Sequence, residues 1–135
     1  HFCITVSAIG KMAMPGFTTY SASKFAMEGF QQGIRFEMPK NVKLTCLYPI
    51  ATDTNFFATA NEVEFERPFP VQSPKTVAKK MVKGIEKGKK SVNPSFLFTL
   101  PGVLFTICPP IKSVYLALER GKFKRFVAKI GKKVD

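Results

Sequence analysis

The sequence predicts an α/β fold, a parallel sheet with flanking helices, followed by an extension that is first apolar and then basic. Two apolar runs, "FCITVSA" (2–8) and "NVKLTCLYP" (41–49), bracket a segment of helical period. Strand, helix and strand within about 48 residues make a right-handed parallel crossover unit. A hydrophobic content of 45% with 14 Phe excludes a disordered chain, and 135 residues suffice for at most one domain. Residues 1–93 read as the α/β unit and residues 94–135 as the extension.

The elements follow in order. Residues 2–8 are β-branched and apolar, as in a buried parallel strand. "IGKMAMPG" (9–16) carries Gly and Pro breakers and reads as a loop. From Thr18 to Met38, Ala22, Ala26, Phe30 and Ile34 recur at helical spacing, with Thr18 or Thr19 available as a cap and Pro39 as the stop. Residues 41–49 give the second strand. Residues 50–74 read as an irregular, aromatic-rich loop, of a length more often found in lids than in plain connections. Residues 73–90 place Val77, Met81 and Ile85 on one helical face, with Ser73 as cap and Pro74 at the first helical position. Residues 91–94 read as one more brief strand.

Charge divides the chain. Residues 1–74 are net neutral, residues 75–90 and 112–135 carry +6 each, and residues 91–111 carry no charge, so the whole +12 lies past residue 74. The uncharged run is too short and too often broken by Pro and Gly to cross a bilayer. The segment after it interleaves aromatic and aliphatic residues with Lys and Arg. It reads either as a helix on an anionic membrane surface, with residues 75–135 as the docking face, or as a helix packed on the core with solvated lysines. No recognition module accompanies the charge, so nucleic acid is not expected as a partner. Cys3, Cys46 and Cys108 are dispersed among apolar neighbours, which predicts buried, reduced thiols in a cytoplasmic protein, peripheral at most on a membrane. With His1 the sole histidine, neither a histidine triad nor a metal site is expected. No signal peptide is legible at the front, and a start inside an apolar strand reads as a piece of something longer.

The chemistry gathers at Ser7, Tyr20 and Lys24. Ser7 ends the first strand, and Tyr20 and Lys24 share one face of the next helix at i and i+4. Strand end and helix start converge at the carboxyl edge of a parallel sheet, where ligands bind in open α/β folds. A phenol is a poor acid–base group at neutral pH, and an ammonium one turn away stabilises its ionised form. A facing hydroxyl can donate to a carbonyl oxygen on which charge develops. Phe56, Phe57, Phe65 and Phe69 either line an apolar substrate pocket or fill the core.

These residues resemble the short-chain dehydrogenase/reductase family: "ITVSAIG" its active-site strand, "PGFTTYSASKFAMEGF" its Tyr-x-x-x-Lys helix, and "VKLTCLYPIATDT" the following strand and cofactor loop. The resemblance covers residues 1–93. It implies the C-terminal half of a Rossmann-type sheet and an NAD- or NADP-dependent oxidoreductase that interconverts a carbonyl and an alcohol. Ser7 would polarise the carbonyl, Tyr20 would act as acid–base residue, and Lys24 would also bond the nicotinamide ribose. Tyr20, Lys24, Pro49, Ile50, Thr52 and Thr54 would touch the cofactor. The family's Pro-Gly-x-x-x-Thr pattern holds except that Ile50 replaces the glycine, which would be costly if that position needed a positive φ. The family's glycine-rich dinucleotide loop is not found here, so the isolated chain is expected to bind dinucleotide weakly and to turn nothing over. The resemblance also implies a homo-oligomer through helix 18–38 and, given the aromatic loop, a hydrophobic carbonyl or alcohol substrate. The alternative is a non-catalytic relic that binds a membrane or a partner.

Overall fold

A computed structural model describes residues 1–60, 66–95 and 109–134. Its order is β1 (Phe2–Thr5), a 3-10 turn (Ala8–Gly10), α1 (Thr18–Glu37), β2 (Leu44–Leu47), α2 (Phe56–Ala60), α3 (Pro74–Glu86), β3 (Ser91–Val92) and α4 (Pro109–Val134). The sheet has three strands in the order β1-β2-β3, all parallel. Phe2 pairs with Leu44 and Thr5 with Leu47, while Cys46 pairs with Ser91. The fold class matches the prediction.

The core lies under α1. Val6, Leu44, Cys46 and Tyr48 are buried together, with Ile4, Met27, Ile34 and Met38 packed against them. Each aliphatic side chain so buried contributes about 1.5–3 kcal/mol. β2 is buried at every position because it is the central strand. β1, expected to be buried, is largely exposed: it lies at the sheet edge, and Phe2 and Cys3 face outward. The expectation of buried thiols therefore holds for Cys46 and fails for Cys3. Cys108 lies outside the described residues. Burial pushes the Cys46 thiol above its ordinary pKa, against the pull of Arg35.

The inward face of α1 is more polar than its sequence stripe suggested. Ala22, Ala26 and Phe30 are exposed, whereas Ser21 and Gln31 are buried. Arg35 explains part of this arrangement. Its guanidinium donates to the Gln31 side chain (2.7 Å), the Leu44 carbonyl (3.0 Å) and the Lys90 carbonyl (2.9 Å), joining α1 to β2 and to the residue preceding β3. The helix start also differs from expectation. Phe17, not a threonine, is the capping residue, and its side chain makes no capping bond.

Two glycines permit close approach. A Cβ on Gly10 would lie 2.8 Å from the Lys24 carbonyl oxygen and 2.9 Å from a Val6 methyl, so the turn after β1 nests against α1 only as glycine. A Cβ on Gly84 would overlap a Val92 methyl, so α3 meets β3 at its backbone. Ser73 precedes α3 and Pro74 opens it, as predicted, although the Ser73 side chain makes no capping bond. The described parts of the 50–74 segment, residues 50–60 and 66–74, are more organised than the expected loop. Thr52 forms a parallel bridge with Gln72, and α2 occupies the interior of the segment.

Candidate active site

Ser7 and Pro49 leave the carboxyl ends of neighbouring parallel strands, and the ladder extends past both. Val6 donates to the Leu47 carbonyl (2.9 Å), and Ala8 donates to the Pro49 carbonyl (2.9 Å). The chain turns sharply between these bonds. Ser7 adopts φ 99°, ψ 151°, a conformation that L side chains rarely occupy and that costs roughly 1–3 kcal/mol. Its hydroxyl donates to the Pro49 carbonyl at 3.3 Å and accepts from the Ile9 amide at 3.4 Å. Both contacts are long, so a better acceptor could replace the Pro49 carbonyl at little cost.

Tyr20 enters from the first turn of α1 and lines the same cavity as Ser7. Burial raises the Tyr20 pKa above its ordinary value, and the Ser7 hydroxyl only partly opposes this. The sequence argument expected the reverse net direction, through Lys24. Here the apolar surroundings dominate, with the Phe56 ring 5.3 Å from the Tyr20 ring. Lys24 is close by: its Nζ lies 5.5 Å from the Tyr20 ring centroid and donates to the Thr5 carbonyl (3.1 Å). Burial lowers the Lys24 pKa. Ser7 and Tyr20 thus share one cavity, and the Lys24 ammonium lies over the Tyr20 ring.

Ser7 and Tyr20 line a cavity of about 450 Å³ whose wall is otherwise mostly apolar. Pro49, Ile50, Thr52 and Thr54 form one side of it, and Phe56, Phe57 and Phe69 another. The Phe57 ring also packs edge-on against Phe17, with centroids 6.3 Å apart, so it serves pocket and core together. Phe65 lies outside the described residues. Sequence reasoning missed Met12, Met14, Phe17 and Tyr115 as lining residues. Tyr115 reaches the site from α4 and donates to the Phe69 carbonyl at 3.3 Å. Its signal was present in the spacing of Tyr115, Leu116, Phe123 and Phe126, which pack as one face on Met14 and Phe17. Burial pushes the Tyr115 phenol up to about 12.

The residues present fit the nicotinamide end of a dinucleotide. Ile50, Thr52 and Thr54 flank Ser7 and Tyr20 along the cavity. Among the described residues Ser7 is the sole non-glycine at positive φ, so Ile50 fills the family's glycine position without left-handed strain. The Thr54 hydroxyl donates to the Thr52 carbonyl at a long 3.5 Å and is open to exchange. No run in the sequence has the spacing of a phosphate-cradling glycine loop.

The sequence profile of the short chain dehydrogenase family matches residues 3–64, the stretch holding Ser7, Tyr20, Lys24 and the Pro49–Thr54 loop. This chain belongs to the short-chain dehydrogenase/reductase family. It is 35% identical over 105 residues to SadH of Mycobacterium tuberculosis, covering 68% of this chain and 38% of that protein. It is 36% identical over 89 residues to 3-ketodihydrosphingosine reductase of Bos taurus, covering 61% and 27% respectively. A third relative is 17-beta-hydroxysteroid dehydrogenase 13 of Rattus norvegicus, 29% identical over 96 residues, with 68% and 31% covered. The chain therefore matches well under half the length of these relatives.

Proposed function

We propose that this short-chain dehydrogenase/reductase chain provides the catalytic edge of an NAD(P)(H)-dependent oxidoreductase that interconverts a ketone and an alcohol on an apolar, lipid-like substrate. One observation carries the reading: a hydroxyl and a phenol that line one apolar cavity, with an ammonium 5.5 Å from the phenol ring. The nicotinamide, when bound, supplies the hydride for reduction or takes it in oxidation. The Ser7 hydroxyl turns from its long bond to Pro49 and donates to the substrate oxygen. Tyr20 gives its proton to that oxygen as negative charge develops, and the neutral alcohol results. The protonated phenol is the acid in reduction and the phenolate the base in oxidation. The Lys24 charge stabilises the phenolate left behind. The aromatic lining and the reduction of 3-ketodihydrosphingosine named for one relative support a long-chain ketone as substrate. The exposed α1 face of Ala22, Ala26 and Phe30 supports self-association along that helix.

The test is Tyr20→Phe in the protein that carries this chain, assayed on a long-chain ketone with NADH and with NADPH. Loss of the proton donor lowers turnover at least about a hundredfold while the melting temperature holds. An unchanged rate would sink the reductase reading and leave the non-catalytic relic.

A further inference from the structure

The packed face of α4 closes the cavity, and among the described residues no element covers its other faces. Tyr115 lines the cavity, and Leu116, Phe123 and Phe126 pack on the same cluster. Beside Tyr115 on the helix, Ile111, Val114 and Leu118 fall at i, i+3 and i+7 and are 40%, 63% and 66% exposed. Tyr115 holds the Phe69 carbonyl, and Phe69 lines the cavity while 72% exposed, with Val71 also exposed beside it in sequence. Exposed aliphatic and aromatic side chains thus run from the cavity rim onto α4. Elsewhere the helix exposes cations together with Val127 and Ile130. Lys112, Arg120, Lys124, Arg125 and Lys129 are exposed, while Glu119, the single acid of α4, is buried against Lys122. Among the described residues no helix is long and apolar enough to cross a membrane.

We propose that α4 rests on an anionic lipid surface, inserting Ile111, Val114 and Leu118 into the headgroup boundary so that the cavity rim opens toward the acyl chains. The inference deepens the reading of an apolar substrate, which would then reach Tyr20 without crossing water. An acidic protein would satisfy the cations but has no use for bare aliphatic side chains dispersed along two turns. A bilayer interface takes both.

The test is co-sedimentation of the purified protein with phosphatidylcholine vesicles, with and without phosphatidylserine. Binding is expected to be at least roughly tenfold tighter with phosphatidylserine and to weaken as salt rises. Val114→Asp with Leu118→Asp, and separately Lys124→Glu with Lys129→Glu, each lower it about tenfold or more. These positions are exposed, and an unchanged melting curve certifies folding. Equal binding to both vesicle types, variants that bind like the parent, or capture by polyglutamate with none by vesicles would each overturn the proposal. Tyr20→Phe separates the two claims. It must retain vesicle binding, and if turnover also survives in that variant the reductase reading fails while the docking surface stands.

Discussion

The Tyr48 phenol donates a 2.7 Å hydrogen bond to the Glu28 carboxylate, joining the end of β2 to the middle of α1. Tyr48 is buried, and the Lys11 ammonium lies 4.3 Å from its ring centroid. Three segments of the site thus meet around one phenol: the turn after Ser7, the helix bearing Tyr20 and Lys24, and the strand leading to Pro49. Tyr48→Phe removes the donor while keeping the ring. The expected loss is about 1–2 kcal/mol, read as a lower denaturant midpoint at unchanged slope.

The same carboxylate sets an acid limb. Burial works against its charge, yet bonds from Gln32 and Tyr48, the Lys11 charge and Gln31 hold the Glu28 pKa below its ordinary value near 4.5. The folded state binds this proton less readily than the unfolded state. The contribution is therefore present above about pH 4.5 and is lost as pH falls through the lower folded value. Glu28→Gln should flatten that part of the stability profile, and an unchanged acid limb would refute the assignment.

All three tyrosines of the chain, Tyr20, Tyr48 and Tyr115, are raised above the ordinary phenol value of 10.0. The unfolded chain gives up these protons first. Stability from this source is complete below pH 10 and declines as pH rises through the folded values. Ultraviolet titration should show little phenolate at pH 10 in the native protein and about half ionisation in denaturant. Half ionisation in both would contradict the burial.

Gly10→Ala drives a methyl into the Lys24 carbonyl and the Val6 side chain, and both neighbours are hard to move. A loss of about 1–3 kcal/mol is expected. Because the displaced backbone belongs to Lys24, turnover in the active protein should fall further than stability accounts for. A tolerated alanine would show that turn and helix separate freely.

Ser21 is buried, and its Oγ has no hydrogen-bond partner among the described residues. Such a hydroxyl costs roughly 1–3 kcal/mol of desolvation. Ser21→Ala should be neutral or stabilising by about 1 kcal/mol in thermal melts, with the helix otherwise unchanged. Marked destabilisation would mean that the hydroxyl has a partner.

Much of the scaffold was legible because it depends on local signals. The apolar run at 41–49, the Pro39 stop and the Pro74 start act within a few residues, and each marks an element close to its observed place. Ser7, Tyr20 and Lys24 were legible because strand end and helix start are adjacent in both sequence and space. What was hidden depends on contacts across the chain. β1 is apolar but for Thr5, yet it is largely exposed and is the first of the three strands in the sheet order. Ala22 and Ala26 look like core spacing, but Arg35 claims the inward face through bonds to the Leu44 and Lys90 carbonyls, 9 and 55 residues away. Tyr115 joins a cavity 95 positions downstream of Tyr20, and no window of sequence contains both. The Thr52–Gln72 bridge likewise joins positions 20 residues apart.

The Arg35 guanidinium grips carbonyls at Leu44 and Lys90 while anchored to its own helix through Gln31. Neither strand can peel away without first breaking a charge-assisted bond to a helix one layer above. Amide protons of α1, β2 and the approach to β3 should consequently exchange with deuterium as one block, at a common rate. Pulled from its ends, this half of the molecule would yield in a single rupture rather than unzip strand by strand.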